Sequence, residues 1–297
     1  MDELNAAYAR CETIAAGHYE NFRIGSWLMP RETRRHLAAL YAFARGADDL
    51  ADEPDAPRDR LGALNRWEDE LDRALAGESD EPVFVATAHT VREKDLEVAL
   101  LRNLLAAFRY DAAFVPYPDY RSLRAYCANS ANPVGRLVLR LLDVRDPTAD
   151  ALSDEVCTGL QLANFWQDLS VDLPRGRSTV PLADLDAFPG ARLALQGGEA
   201  NPAFRELMHL EIGRARRSLL CGYELASLLP RRAAFEIRCF TEAGLAIVRS
   251  IEGGVDELLR KRPVVGGLDQ MKIFLRALQP PRQTRSAAMA LAEVEKC

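Results

Sequence analysis

The sequence has few of the features that mark secreted, membrane-spanning or disulfide-linked proteins. Its six cysteines form no C-x-x-C pair, and the N-terminus lacks the basic start and apolar run of a signal peptide. No stretch approaches the 18 consecutive apolar residues of a membrane span. We therefore expect free thiols in a reducing cytoplasm, and a cytoplasmic protein or one that is loosely peripheral at the inner face of the membrane.

Linkers, repeats and an excess of positive charge are also lacking. We find no Gly/Ser-rich linker and no low-complexity tract, so we expect a single domain over residues 1–297, with 280–297 as a tail or last helix. The formal net charge of −6 argues against nucleic acid as a partner and weakens a case for electrostatic docking to anionic lipid. No Gly-rich dinucleotide fingerprint follows a strand.

Strand alternation is hard to find, whereas the helical period dominates the chain. We predict an all-α bundle with helices over residues 3–17, 30–53, 58–77, 92–110, 119–142, 149–173, 203–229, 231–262 and 268–278. Pro30, Pro202 and Pro263 mark helix boundaries, and Asn132-Pro133 should interrupt the helix over 119–142. Residues 174–202 read as a loop with short helical pieces.

Two segments carry acidic and amide side chains at helical spacing. In the first, Tyr41, Arg45, Asp48 and Asp52 recur at steps of four, three and four, which a helix places on one stripe. The second segment repeats the pattern with Gln161, Asn164, Asp168 and Asp172. Apolar residues such as Phe165, Trp166 and Leu169 surround this second stripe, so we expect the polar stripe to face inward.

Carboxylates four residues apart on a helix repel each other by roughly 0.2–0.5 kcal/mol, and burial of an unpaired carboxylate costs far more. A cation should therefore lie between them. Mg²⁺ takes oxygen ligands only, often one or two carboxylates with substrate phosphates, which fits Asp and Asn without nearby His or Cys. Asn164 to Asp172 spans about 12 Å along the helix, which leaves room for more than one ion. For the first segment alone, a solvated helix face remains the alternative.

These segments resemble the squalene and phytoene synthase family of head-to-head isoprenoid synthases. The resemblance begins at the stretch from His18 to Phe22, which is similar to the family's N-terminal substrate-binding box, and includes both acidic segments. It extends through the small-residue stretch from Tyr126 to Gly135 and the segment from Pro174 to Arg177.

The resemblance implies a class I terpenoid synthase fold with a central apolar cavity, and two or three Mg²⁺ ions. By this resemblance the metal ligands are Asp48, Asp52, Asn164 and Asp168, with Asp172 as a further acidic member. The residues that contact the substrate diphosphate or chain are His18, Tyr19, Glu20, Asn21, Tyr41, Arg45, Gln161 and Arg177, and Arg175 adds further positive charge. The implied substrate is a prenyl diphosphate, either presqualene diphosphate or farnesyl diphosphate.

One position departs from the family pattern. Many members carry Arg immediately before the first Asp of the second motif, where this sequence has Gln167, which lacks a fixed charge and a bidentate fork. The sequence from Asn164 to Asp168, together with the stretch from Ser26 to Pro30, is most similar to the bacterial hydroxysqualene synthase branch. That branch converts presqualene diphosphate and water to hydroxysqualene for hopanoid synthesis, so downstream hopanoid-pathway enzymes would be partners. The lipid product implies transient contact with the membrane surface, although no motif supports it.

Competing functions follow from the same residues. Within the family, presqualene diphosphate, squalene and phytoene or dehydrosqualene synthases condense two prenyl diphosphates instead of consuming one. Glu206 and His209 have the E-x-x-H spacing of di-iron helical proteins, but no second such pair occurs, so we interpret His209 as an ordinary helix residue. A non-catalytic helical scaffold would leave Asp48 and Asp168 exposed to solvent.

The cation left after diphosphate loss needs aromatic faces and protection from water. Candidate aromatic residues are Phe22, Tyr41, Phe43, Tyr126, Phe165 and Trp166, although plain core packing is the more common role for each except Tyr41. If the product is an alcohol, one water must be held in place, and Asn129, Ser130 and Asn132 are the candidates.

Overall fold

The computed structural model describes residues 2–17, 30–52 and 56–278. The α-helices are α1 (Asp2–Gly17), α2 (Arg31–Asp52), α3 (Arg60–Ala76), α4 (Pro82–Glu93), α5 (Val98–Ala112), α6 (Tyr120–Ser130), α7 (Asn132–Leu141), α8 (Pro147–Gln167), α9 (Leu169–Asp172), α10 (Leu182–Ala187), α11 (Pro189–Gly197), α12 (Pro202–Gly222), α13 (Arg231–Gly253) and α14 (Gly267–Leu278). Short 3₁₀ turns cover Leu173–Arg175 and Tyr223–Ser227. No strand occurs in the described ranges, and the all-α prediction is confirmed.

The chain forms two compact units. The first unit comprises Met1–Phe114 and Pro133–Arg145, and the second comprises Val115–Asn132 and Asp146–Cys297. The first acidic motif belongs to the first unit and the second motif to the second unit. The single-domain expectation stays a prediction. Within the three described ranges, none of the helices has both the length and the apolar character that a bilayer crossing requires.

Sequence signals at helix ends account for several boundaries. Asp146 and Asn201 cap the N-termini of α8 and α12, and each is followed by proline, whose missing N–H costs nothing at a first helical position. Helix α3 ends at Gly77, whose φ of 82° is the left-handed conformation that glycine adopts without strain. Helix α2 begins directly after Pro30, as predicted.

Helix α2 lies at the centre of the first unit, where it packs against α1, α3, α4 and α5. Phe43 is fully buried, with its ring centroid 6.0 Å from that of Phe84 and 6.1 Å from that of Trp67. On another side of α2, Ala38, Ala39 and Ala42 pack against α1. The core of this unit therefore fixes the helix that carries the first acidic motif.

In the second unit, α8 packs most extensively against α12. Two glycines permit the close approach. A Cβ on Gly159 would lie 2.9 Å from the main-chain nitrogen of Leu219, and one on Gly222 would lie 2.7 Å from that of Val156. Because main-chain atoms cannot move aside, larger residues would force the two helices apart. Packing against α12 thus fixes the position of α8, the helix that carries Gln161 and Asn164 of the second motif.

Several predicted helix bounds were wrong. Helix α4 was missed, and the helix predicted over 92–110 begins only at Val98, after a turn in which Asp95 has a φ of 47°. Helix α13 ends at Gly253, short of the predicted 262. The interruption at Asn132-Pro133 is confirmed, because α6 ends at Ser130 and α7 starts at Asn132. The described cysteines, all but Cys297, are free thiols, as expected.

Candidate active site

The first acidic motif lies on the last turns of α2. The guanidinium of Arg45 forms ion pairs with two carboxylates of the same helix, at 3.2 Å to Asp48 and 2.6 Å to Asp49. The side chains of both aspartates are more than two-fifths exposed, and Asp52 at the end of the helix is exposed. Tyr41 is partly buried against the cluster that joins α1 and α2. The predicted stripe therefore exists on a continuous helix, and its acidic end is open to solvent.

The second motif lies at a break between two helices. Helix α8 ends at Gln167, and Asp168 has φ and ψ of −95° and 6° before α9 begins at Leu169. Hydrogen bonds still cross the break, since the N–H of Asp168 donates to the Asn164 carbonyl and the N–H of Asp172 donates to the Asp168 carbonyl, both at 2.9 Å. The predicted continuous helix over 149–173 is thus wrong, because two helices meet at Asp168. The hydrogen bonds across the break nevertheless keep the ligand candidates Asn164, Asp168 and Asp172 at helical spacing.

Burial around this motif divides apolar from polar residues. Phe165, Trp166 and Leu169 are buried, as expected from their apolar character. Asn164 is exposed, and the side chain of Asp168 retains 20% of its exposure. The expectation that this second polar stripe faces inward is therefore wrong in the sense of burial. The physical reason is that charged and amide groups lose favourable hydration when they are removed from water, so Asn164 and Asp168 line a solvent-accessible surface while their apolar neighbours form the core.

A residue that sequence reasoning missed lies directly on the second motif. The guanidinium of Arg262 contacts both carboxylate oxygens of Asp168, through Nε on Oδ1 and through Nη2 at 3.3 Å from Oδ2. Beside it, the amide nitrogen of Gln167 donates to the carbonyl of Pro263 at 2.7 Å. Residues 94 or more positions away in the sequence therefore complete this motif. In the sequence, Pro263 marks a helix boundary, but no residue spacing connects it or Arg262 to Asp168.

The arginines after the second motif lie on its closing turn. The 3₁₀ turn that follows α9 ends at Gly176, whose φ is 76°, and the N–H of Arg177 donates to the Asp172 carbonyl at 3.1 Å. Arg175 is exposed, and Arg177 is partly buried. The main chain thus brings Arg177 back to the last acidic residue of the motif.

Aromatic side chains of the second unit form a cluster next to the second motif. The ring of Tyr126 lies 5.6 Å from that of Tyr117 and 5.7 Å from that of Phe165, and Phe165 is 6.5 Å from Trp166. This cluster contains three of the predicted cation-stabilising residues. Phe43, by contrast, belongs to the core of the first unit, where it contacts Phe84 and Trp67.

The three candidates for a water-holding residue differ in their contacts. In the amide orientation that satisfies its surroundings, Asn132 donates to the carbonyls of Cys127 at 3.2 Å and Asp154 at 3.1 Å, so this side chain is occupied by the break between α6 and α7. Asn129 is 3.5 Å from the Ala125 carbonyl. The hydroxyl oxygen of Ser130 is buried and has no hydrogen-bond partner among the described residues. Ser130 is therefore the candidate with an unused polar group.

The donor atoms of the two motifs fit Mg²⁺. Each motif offers carboxylate or amide oxygens, and Mg²⁺ prefers one or two carboxylates completed by substrate phosphates and water. Within residues 2–17, 30–52 and 56–278, no three His, Cys, Asp or Glu side chains converge as a ready-made metal cluster. Glu206 and His209, the pair with di-iron spacing, are both exposed on α12. The motifs therefore offer oxygen donors for Mg²⁺ and leave the remaining coordination positions to a substrate diphosphate.

Part of the predicted site lies outside the described residues. It consists of the N-terminal substrate-binding box with His18, Tyr19, Glu20 and Asn21, and the nearby Phe22. The expectation that both acidic motifs serve one substrate likewise stays a prediction.

Comparison with protein families identifies the group to which these motifs belong. The family model for squalene/phytoene synthase matches residues 15–269, a range that contains both acidic motifs and Arg262. The chain belongs to this family. Family members use divalent metal ions and bind prenyl diphosphate substrates. The chain is accordingly an enzyme of the squalene/phytoene synthase family.

Individual relatives agree with this assignment. A phytoene synthase from Arthrospira platensis is 30% identical over 268 residues, which cover 86% of this chain and 84% of the relative. The crystal structure of squalene synthase HpnC from Alicyclobacillus acidocaldarius is 38% identical, with a TM-score of 0.81, and the match covers 85% of this chain and 95% of that one. A dehydrosqualene synthase structure, 21% identical with a TM-score of 0.83 and covering 93% and 96%, supports the isoprenoid synthase fold.

Proposed function

We propose that this enzyme converts presqualene diphosphate and water to hydroxysqualene and diphosphate, in a reaction that depends on Mg²⁺. The observation that carries the proposal is the 38% identity to a squalene synthase over 85% of the chain, together with the neutral Gln167 in the second motif. Two acidic motifs with oxygen donors support the metal dependence. The proposal groups the chain with the family members of squalene biosynthesis and not with the phytoene synthases.

The residues of the two motifs have distinct roles in this proposal. Asp48 and Asp52 bind Mg²⁺ in the first motif, and Asn164, Asp168 and Asp172 bind it in the second. Mg²⁺ held by these residues would supply Lewis-acid charge that neutralises the leaving diphosphate. Arg45 orients Asp48 and Asp49 through its ion pairs at 3.2 and 2.6 Å, and also offers positive charge to the substrate diphosphate. Tyr41 and Gln161, on the same stripes, contact the substrate.

The hydrocarbon cation must then survive until a single water reaches it. The aromatic cluster of Tyr117, Tyr126 and Phe165 excludes solvent and offers ring faces, each of which stabilises a cation by about 0.5–2 kcal/mol. We assign the water to the Ser130 hydroxyl, because this hydroxyl is buried and makes no hydrogen bond within the described residues. The carbon–oxygen bond to diphosphate has broken at this point; the water oxygen bonds to the cation and passes one proton to the released diphosphate, which leaves an alcohol.

The second candidate function is condensation of two prenyl diphosphates. It is favoured by the phytoene synthases among the curated relatives, such as that of Arthrospira platensis at 30% identity and that of Synechococcus elongatus at 28%. Condensation requires that two diphosphates be handled by one enzyme. A neutral residue at position 167 provides one fixed positive charge fewer for that task than arginine would.

Incubation of the purified enzyme and Mg²⁺ with either presqualene diphosphate or farnesyl diphosphate tests the two functions. We expect conversion of presqualene diphosphate alone, to an alcohol that mass spectrometry identifies. Condensation of farnesyl diphosphate would contradict the proposal and support the second candidate. Ser130→Ala should raise the alkene-to-alcohol ratio severalfold, whereas Ser122→Ala, on the opposite end of α6, is the matched control and should leave the ratio unchanged.

A further inference from the structure

Two consecutive residues of the second motif hold two consecutive residues from a distant part of the chain. Gln167 is buried at the last position of α8, and its amide nitrogen donates to the Pro263 carbonyl at 2.7 Å. Asp168 accepts from Nε and Nη2 of Arg262. The segment around residues 262–263 is therefore attached to the motif at two points, one neutral and one charged.

The ion pair between Arg262 and Asp168 remains accessible to ligands. The side chain of Arg262 is 50% exposed, whereas that of Asp168 is 20% exposed. Two of the guanidinium nitrogens, Nε and Nη2, face Asp168, and in the described part of the chain Nη1 makes no hydrogen bond or ion pair. A guanidinium has five N–H donors, so this one can contact an anion while it stays beside the carboxylate.

A cation fixed beside a metal-binding carboxylate has opposite effects on two kinds of ligand. It repels a bare metal ion and thereby weakens the binding of that ion to the carboxylate. It attracts a diphosphate and thereby strengthens the binding of the metal–diphosphate pair. At about 8 Å in a solvated site, across the intervening carboxylate, one unit charge changes the affinity for a divalent ion by about fivefold. The effect depends on where the guanidinium is held, and Gln167 is the residue that fixes the adjoining main chain.

We propose that Gln167 is a positioning residue that holds Arg262 against Asp168, so that the second motif binds Mg²⁺ with diphosphate in preference to Mg²⁺ alone. The inference rests on the proposed function, because it takes Asp168 as a metal ligand. It assigns to Gln167 a role that arginine at position 167 could not fill, since an arginine would place a second cation beside Arg262.

The test is a double-mutant cycle of Gln167→Met and Arg262→Ala. Methionine has the length of glutamine but cannot donate to the Pro263 carbonyl. For each protein, calorimetry measures the Kd for Mg²⁺ alone and the Kd for inorganic diphosphate at saturating Mg²⁺. Arg262→Ala should lower the first Kd by about fivefold and raise the second by about tenfold. Gln167→Met should shift both in the same directions by about two- to threefold.

The double variant should match Arg262→Ala within about twofold, because Gln167 acts through Arg262. Arg260→Ala is the matched control. Arg260 pairs with Glu199 at 2.5 Å, two residues before Arg262, so its removal deletes one charge without touching Asp168 and should leave both Kd values unchanged. Weakening of both affinities together in Gln167→Met, or additive effects in the double variant, would overturn the inference, since a merely structural role predicts them.

A second measurement does not involve metal. Trypsin cleavage after Lys261 should be about fivefold faster in Gln167→Met than in the wild type, at equal thermal stability, because the segment has lost its neutral attachment. An unchanged cleavage rate would overturn the positioning role even if the proposed function holds. Failure of the wild type itself to bind Mg²⁺ and diphosphate would instead overturn the proposed function.

Discussion

The two acidic motifs differ in the source of their positive charge. In the first motif, Arg45 lies on the same helix as the aspartates with which it pairs, three and four residues before them. In the second motif, the arginine that pairs with Asp168 lies 94 residues further along the chain. Helix formation alone assembles the first motif, whereas the second exists only after the second unit has folded.

The main chain of the two motifs differs in the same way. Helix α2 continues through Asp48 to Asp52, but the helix of the second motif breaks at Asp168 and resumes for a single turn. The break lets Gln167 and Asp168 reach different parts of the 262–263 segment. A local motif can be inferred from spacing, whereas a motif completed by tertiary contacts cannot.

The largest expected effect comes from removal of one carboxylate from each motif. Asp48→Asn and Asp168→Asn should each lower kcat/KM by about a hundredfold or more, because each removes a charge that binds Mg²⁺ and several kcal/mol of transition-state stabilisation depend on it. Steady-state kinetics over a range of Mg²⁺ concentrations measures the loss. The control is Asp72→Asn on α3, which breaks an exposed ion pair with Arg102 of α5. It should change kcat/KM less than twofold.

If the second motif depends on its distant arginine, the two variants should differ in a further respect. Asp168→Asn also removes the partner of Arg262, so trypsin cleavage after Lys261 should become faster in this variant and not in Asp48→Asn. Equal cleavage rates would contradict the contrast between a local and a tertiary motif. Full activity of either variant at normal Mg²⁺ would contradict the metal assignment.

An intermediate effect is expected from glycines in the two motif-bearing helices. A Cβ at Gly46 of α2 would meet ring atoms of Trp67 at 2.4 Å, whereas one at Gly159 of α8 would also meet the main-chain nitrogen of Leu219 at 2.9 Å. A ring can rotate but a main chain cannot, so Gly159→Ala should cost about 2–3 kcal/mol of unfolding free energy and Gly46→Ala about 1 kcal/mol. Thermal unfolding measures both.

Gly197→Ala is the control for this pair. A Cβ at Gly197, the last residue of α11, would meet nothing within 4 Å, so alanine there should change the free energy of unfolding by less than about 0.5 kcal/mol. A larger loss in Gly46→Ala than in Gly159→Ala would show that α8 is held less firmly than its packing against α12 indicates.

The smallest expected effect is a pH dependence of opposite sign in the two units. In the first unit, burial lowers the pKa of His36, which lies 3.0 Å from the Tyr8 hydroxyl and stacks near His89. In the second unit, burial raises the pKa of Glu211 to about 8, although Arg214 at 2.9 Å opposes the shift. The fold thus favours the neutral form of both side chains.

The signs follow from linkage. For His36, whose pKa is lower in the folded state, the stabilisation is present above the unfolded value of about 6.5 and is lost as the pH falls. For Glu211, whose pKa is higher in the folded state, the stabilisation is present below the unfolded value of 4.5 and is lost as the pH rises from there to about 8. Glu211→Gln should flatten the decline in Tm over that range, and His36→Gln should flatten the acidic decline. A steeper decline in either variant would contradict the assignment.

The fold class and the first motif could be predicted from sequence because both depend on helical periodicity. Apolar residues recur at the helical period along most of the chain, and Tyr41, Arg45, Asp48 and Asp52 lie on the helix that their spacing predicts. Helix α4 was missed although Pro82 at its first turn is a start signal, because β-branched Val83 and Val85 lower helix propensity.

The tertiary part of the second motif could not be predicted. No proline or glycine at 168 signals the break, and Arg262 is one of many arginines that follow the motif in sequence. The burial of the second stripe was also misjudged, because apolar neighbours such as Phe165 and Trp166 indicate that a helix is buried without showing which of its sides remains open. These features depend on packing between distant segments.

The most direct test of the account is the release of inorganic diphosphate from presqualene diphosphate, measured as a function of Mg²⁺ concentration. We predict that release saturates with Mg²⁺ in the wild type, that EDTA abolishes it, and that both Asp48→Asn and Asp168→Asn require much higher Mg²⁺. Release that persists at the same rate in EDTA would contradict the claim that the two acidic motifs act through bound metal.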